Sequence, residues 1–255
     1  DATEAGRFDD LAGFLDRPAE LARELIDEGF AGMKIWPFDQ IAKERGGSVI
    51  SRADLASGLE PFRLIREAVG GSIEIMAEGH GFWSLGAATT VAKGLEPYEP
   101  AWIEDLILAD SPEALAALKR STSIPVLASE YLMTRFEYAP MIRSGAVDHV
   151  MIDPTWCGGI TEARRIIALA DAARLPVTTH DCTGPFTLLA GVHLALSSTN
   201  LTYQEVVRGY LRLVYPEFVD DPIELVNGRI LPPTRPGIGA ALRSDVIDRP
   251  GVEQR

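Results

Sequence analysis

The chain has 255 residues, 46% of them hydrophobic, enough for one large domain around a single core. Its formal net charge of -13 and pI near 4.8, with no cluster of Lys or Arg, make nucleic acid and anionic membrane surfaces poor partners. Two cysteines, Cys157 and Cys182, are too few for a disulfide framework, and no apolar run approaches the roughly 18 residues of a membrane span.

The opening "DATEAGRFDD" has no signal-peptide pattern, so a reducing, cytoplasmic setting is expected. In chain order, an amphipathic stretch "RPAELARELIDEGF" leads into the β-branched run "GMKIW" (32–36). An insert, "PFDQIAKERGGSVISRADLASG", follows and is expected to overhang one end of the fold. Further strand patterns are "IEIMAE" (73–78), "AWIE" (101–104), "IPVLASE" (124–130), "HVMID" (149–153), "LPVTTH" (175–180) and "LTYQE" (201–205). Helical patterns such as "SPEALAALKRST" and "GITEARRIIALADAARL" separate them. Ser111 with Pro112 and Glu113 makes a helix start, and Gly29 and Gly145 fall where helices stop.

Strand and helix alternating every ~25 residues imply parallel strands with crossover helices, wound as a (β/α)8-type barrel. Seven strands are counted, one short of closure, so the first strand is expected outside this chain. Residues 1–220 read as the barrel lacking that strand. Residues 221–255, beginning "DPIELVNGRILPPTRPGIGAAL", read as a hairpin and Pro/Gly-rich tail folding back on it.

Six consecutive strands end in an ionisable residue: Glu78, Glu104, Glu130, Asp153, His180 and Glu205, at spacings of 26, 26, 23, 27 and 25. These ends form the carboxyl-terminal mouth, where barrel enzymes keep their chemistry. Crowding five carboxylates there without partners costs several kcal/mol per charge, on the order of that for any buried ion. A divalent cation removes the difficulty. Glu78, Glu104 and Glu130, on adjacent strands, form an all-oxygen site of the kind that suits one Mg²⁺. His80 lies two residues after Glu78, and residues so spaced in a strand share a face.

The motifs "WIED", "PVLASE", "MIDPTWCGGITEA", "TTHDCTGP" and "TYQE", in this order and at these spacings, resemble the enolase superfamily, in its mandelate racemase/muconate lactonizing enzyme branch. The resemblance runs from "GFAGMKIW" to "GIGAAL". It implies a modified (β/α)7β barrel with a small capping domain that is absent from this chain. It also implies a homo-oligomer acting on a small-molecule acid, by removing the proton α to its carboxylate. His180 would be the base, with Asp153 orienting and strengthening its imidazole. Glu205 would hydrogen-bond the substrate carboxylate.

Racemases of this branch carry Lys-x-Lys where this chain has "KIW": Lys34 is kept, but Trp36 replaces the second base, and an indole takes no proton from carbon. Lys34 would pair with substrate, with a metal ligand or in a structural salt bridge. "EGHG" (78–81) fits the acid-sugar dehydratases that resemble D-galactonate dehydratase. There the histidine is a general acid, so His80 would protonate the departing 3-hydroxyl; its alternatives are a metal ligand or a supporting polar residue. Arg135 resembles a family arginine near the third ligand, a substrate contact or an ion-pair partner. Two departures stand out: Glu78 where Asp is usual, and Asp105-Leu106 where Glu-Pro is common. The leading expectation is a Mg²⁺-dependent acid-sugar dehydratase. The alternatives are a racemase or epimerase of a 2-hydroxy acid, and a non-catalytic sugar-acid-binding barrel. His149 and His193 read as structural.

Overall fold

The computed structural model describes residues 6, 8–221 and 223–249; the remaining residues of the expected barrel start and C-terminal tail lie outside the described residues. Helices α1 (Asp10–Asp16) and α2 (Pro18–Asp27) lead into β1 (Gly32–Ile35). The insert folds as α3 (Asp39–Arg45) and the start of α4 (Arg52–Val69). Strand and helix then alternate: β2 (Glu74–Glu78), α5 (Leu85–Leu95), β3 (Trp102–Glu104), α6 (Pro112–Arg120), β4 (Val126–Ala128), α7 (Thr134–Arg143), β5 (His149–Ile152), α8 (Ile160–Ala172), β6 (Val177–Thr179), α9 (Pro185–Leu196) and β7 (Leu201–Gln204). The helix signals act as their chemistry demands. The Ser111 hydroxyl accepts the Ala114 N–H at 3.2 Å, and Gly29, at φ +85°, ends α2.

All six strand pairings are parallel, and the sheet order follows the sequence from β1 to β7. Among the described residues β7 does not pair with β1, so the barrel stays open along one seam, as a count one short of closure requires. A cavity of about 170 Å³ follows the seam, between Met33 and Ile35 on one side and Tyr203 and Val206 on the other, with Phe14 and Leu25 from the first two helices over it. Arg208, buried just past β7, spans it by pairing with Asp10 at 2.5 Å and Glu28 at 2.8 Å.

The period-two alternation of strands builds the interior in two rows. Met76, Trp102, Leu127 and Met151 pack together with Tyr203 as an apolar plug. Burial of each such side chain contributes about 1.5–3 kcal/mol. Two residues beyond Met76, Trp102, Met151 and Tyr203, at the ends of the same strands or one residue past them, come Glu78, Glu104, Asp153 and Glu205. The acidic row therefore sits on the plug.

Past the barrel, β8 (Leu225–Val226) and β9 (Arg229–Ile230) pair antiparallel through Asn227 and Gly228, at φ +49° and +67°, and a short α10 (Ser244–Ile247) follows. The turn seats on Gly29: a Cβ on Gly228 would stand 1.8 Å from the Gly29 carbonyl oxygen. No described helix is long and apolar enough to cross a membrane.

Candidate active site

Register sets the acidic groups side by side. Glu78 and Glu104 are direct partners across β2 and β3, and Lys34 of β1 pairs with Met76, two residues before Glu78. The Lys34 ammonium consequently lies 2.7 Å from Glu78 Oε2, 2.9 Å from Glu104 Oε1 and 3.2 Å from Glu205 Oε1. Although burial works against its charge, Glu104, Glu205, Glu78 and Glu130 hold Lys34 well above its ordinary value. Trp102 Nε1 donates to the other Glu104 oxygen at 3.0 Å.

One ammonium does not neutralise this cluster. Burial and the neighbouring Glu78 charge, opposed by Lys34, push Glu104 up to about 8. Burial and Glu104 raise Glu130, while burial and Glu130 raise Asp105, which accepts the Ser129 hydroxyl at 2.7 Å. Glu130 Oε2 and Glu205 Oε2 are buried with no hydrogen-bond partner. Glu78, His80 and Glu130 each bring a ligand atom within 4.8 Å of the other two. Hard oxygen donors, one of them orphaned, under excess negative charge fit a divalent cation. Glu104 is next to this group by register, with its oxygens on Lys34 and Trp102.

Two histidines each have Nδ1 beside a buried aspartate, as a hydrogen bond at His180 and as an ion-pair contact at His80. His180, just past β6, has Nδ1 2.9 Å from Asp153 Oδ2, and its own N–H is tied to the Ile152 carbonyl at 2.9 Å. Asp153 is fixed in turn, its Oδ1 accepting the Thr155 and Trp156 N–H groups at 2.7 and 3.0 Å. Burial opposes charge on His180, but Asp153 above all outweighs it and takes the ring to about 11. His80 follows β2, four strands away in the sheet, with Nδ1 2.7 Å from Asp39 Oδ2. Burial lowers its affinity for a proton, but Asp39 and Glu78 more than compensate, and the net direction is upward. The backbone at His80 is left-handed, φ +45°, between Gly79 and Gly81 at φ +71°. A non-glycine residue held there is strained, as is common at functional sites.

Trp36 meets the His80 ring edge-on at 5.7 Å and Phe14 at 4.9 Å, closing the mouth beside β1. Arg135 is not brought into the cluster by its described contacts: its guanidinium grips both Glu162 oxygens at 2.7 Å and lies over Phe136. Three residues were not singled out by sequence reasoning. Asp39 lies in the insert, where no strand end marks it. Tyr131 stacks on Trp156 at 5.9 Å, and Trp156 lies 5.3 Å from the His180 ring, so an aromatic wall flanks His180. Both follow strand-end acids by one and three residues, the spacing that could have flagged them.

The family model described as enolase C-terminal domain-like matches residues 17–246. A D-galactonate dehydratase of Ralstonia pickettii is 32% identical over 91% of this chain and 62% of its own length. A D-gluconate dehydratase of Thermoproteus tenax is 28% identical over 91% of this chain and 46% of its own length. Among solved structures, an enolase protein from Sargasso Sea environmental sequencing superposes with TM-score 0.89 at 43% identity, covering 93% of this chain and 64% of that one. A mandelate racemase subgroup enolase from Agrobacterium tumefaciens gives 0.88 at 42% identity, over 91% and 63%. The chain thus spans less than two thirds of the relatives it matches.

Proposed function

The chain belongs to the enolase C-terminal domain-like family, and from that premise we propose that it is the barrel of a Mg²⁺-dependent acid-sugar dehydratase, a hydro-lyase. The observation that carries the reading is the pair of aspartate-paired imidazoles, His180 and His80, placed on either side of a carboxylate cluster with one ammonium. Glu78 and Glu130, with Glu104 beside them, would hold the ion. Bound there, a divalent cation would supply positive charge against the substrate carboxylate.

The chain's own residues divide the rest of the work. His180 Nε2, left free by Asp153 on Nδ1, takes the proton from C2. His80 gives a proton to the 3-hydroxyl as the C3–O bond breaks, and water leaves. The resulting enol tautomerises to a 2-keto-3-deoxy acid. Lys34 and Glu205, 3.2 Å apart, meet the substrate carboxylate. The Tyr131–Trp156 wall excludes water from the C2 side. The substrate is a small-molecule sugar acid, the protein a cytoplasmic homo-oligomer.

A second reading, epimerisation at C2, is favoured by the likeness of the two pairs, since each face would then carry its own base. The relatives named for D-galactonate and D-gluconate dehydration point to where a screen begins. Hexonic, pentonic and aldaric acids incubated with Mg²⁺ in D₂O separate the readings. Dehydration gives a semicarbazide-reactive keto acid, epimerisation gives deuterated starting acid and its epimer, and a mere binder gives neither.

A further inference from the structure

We propose that Asp39 is the positioning residue for His80, aligning its ring through Nδ1 so that Nε2 faces the departing hydroxyl. The inference rests on the dehydratase reading for the role of His80, but its geometry stands alone. Asp39 opens α3, immediately after the β1 extension that carries Trp36, and is 6% exposed. A carboxylate so buried costs several kcal/mol, on the order of that for any desolvated ion, unless a partner offsets it. His80 is the one ion-pair partner that the described residues give Asp39, at 2.7 Å; the contact is one of charge and distance, since neither Asp39 Oδ1 nor His80 Nδ1 makes a hydrogen bond among the described residues.

The contact is between separate pieces of chain, the insert after β1 and the turn after β2. The backbone of that turn is fixed, with the Gly79 N–H on the Glu104 carbonyl at 3.0 Å and the His80 N–H on Glu78 Oε1 at 3.2 Å, so what Asp39 can set is the direction of the ring. Trp36 closes the ring's other side edge-on at 5.7 Å. The ring is therefore located by an anion on Nδ1 and an indole edge, and both come from the same short segment, residues 36–39. His180 has a comparable setting, with Asp153 hydrogen-bonded on Nδ1 at 2.9 Å and the Trp156 ring at 5.3 Å. The two imidazoles thus each face an aspartate from unrelated segments of the barrel, a repetition that simple burial of a histidine does not call for.

The test uses the acid sugar found by the screen, with Mg²⁺, and the variants Asp39→Asn and His80→Gln. Asp39→Asn is expected to lower keto-acid formation by at least about tenfold, part of the ~10²–10⁴ that general-acid assistance is worth, with KM changed by no more than about twofold. Exchange of the C2 hydrogen in D₂O, which belongs to His180, is expected to persist. An equal fall in exchange and elimination, or no fall in either, overturns the proposal. A second arm needs no turnover. In ¹⁵N-histidine-labelled wild-type protein without metal, the His80 ring, assigned by its loss in His80→Gln, is expected to carry a solvent-protected proton on Nδ1 that Asp39→Asn loses. An Nδ1 without that proton in the wild type overturns the proposal even if Asp39→Asn does not fold. If no acid sugar is exchanged or dehydrated, the dehydratase reading fails, and the labelled-histidine result still decides whether Asp39 holds the ring.

Discussion

Replacing Asp153 by asparagine probes the proposed base directly. The amide oxygen can still accept the Thr155 and Trp156 N–H groups that now end on Asp153 Oδ1, so the loop after β5 keeps its anchors. What changes is the atom facing His180 Nδ1, at 2.9 Å: an acceptor oxygen becomes an amide nitrogen. The ring must then accept through Nδ1 and keep its proton on Nε2, where it cannot take one from carbon. A tautomer error of this kind costs about 10⁴ in kcat, or about 5.5 kcal/mol. The assay is C2 deuterium incorporation, with the urea unfolding midpoint as control. If Asp153→Asn exchanged within about tenfold of wild type at an unchanged midpoint, His180 would not be the base.

Three further outcomes are expected. Burial holds His149 at about 4, so the folded state resists a proton that the unfolded chain takes up below about 6.5; stability is full above pH 6.5 and falls by about 3 kcal/mol towards pH 4. Urea midpoints at pH 7.5 and 4.5 should therefore differ more for wild type than for His149→Gln, and equal differences would contradict this. Saturating Mg²⁺ should raise the unfolding temperature, by about 2.7 kcal/mol of stability at a hundredfold excess over Kd, and Glu130→Gln should abolish the rise. In chelator Glu130→Gln should be more stable than wild type, because it removes a buried charge with an orphaned oxygen; a less stable variant would show that the crowding is illusory. Gly228→Ala should cost about 2 kcal/mol or more, since its Cβ would stand 1.8 Å from the Gly29 carbonyl at a left-handed φ of +67°; an unchanged thermal midpoint would mean that the hairpin does not seat on α2.

The strands were legible because each is a short apolar run and six of the seven are closed by an ionisable residue, and the missing pairing along the seam followed from counting seven. Glu78, Glu104 and His180 could be found because strand ends converge in any barrel, whatever the loops do. Lys34 lay within reach of prediction, but its three carboxylate contacts depend on the register that sets Glu78 opposite Glu104, which periodicity does not fix. Asp39 was illegible for a different reason. It sits in the first turn of a short helix, a position where an acid is ordinary, and only the fold of the insert brings it to His80. Arg135 shows the converse: its neighbourhood in the sequence suggested the site, while Glu162, 27 residues on, captures its side chain.

The alternation that stacks acids on an apolar plug also governs how such a protein can change. Both rows lie on the inward face of the same backbones, so inserting or deleting one residue within a strand would turn whatever follows the change toward the helices, carrying the carboxylate out of the mouth and, where the change comes early, methionine or tryptophan out of the plug. Chemistry and foldability would be lost in one event. Substitution at a strand's last position alters the reaction without loosening the plug, and changes of length are confined to the connecting loops. Novelty in this architecture is therefore restricted to single-letter edits at the rim and to growth between the strands.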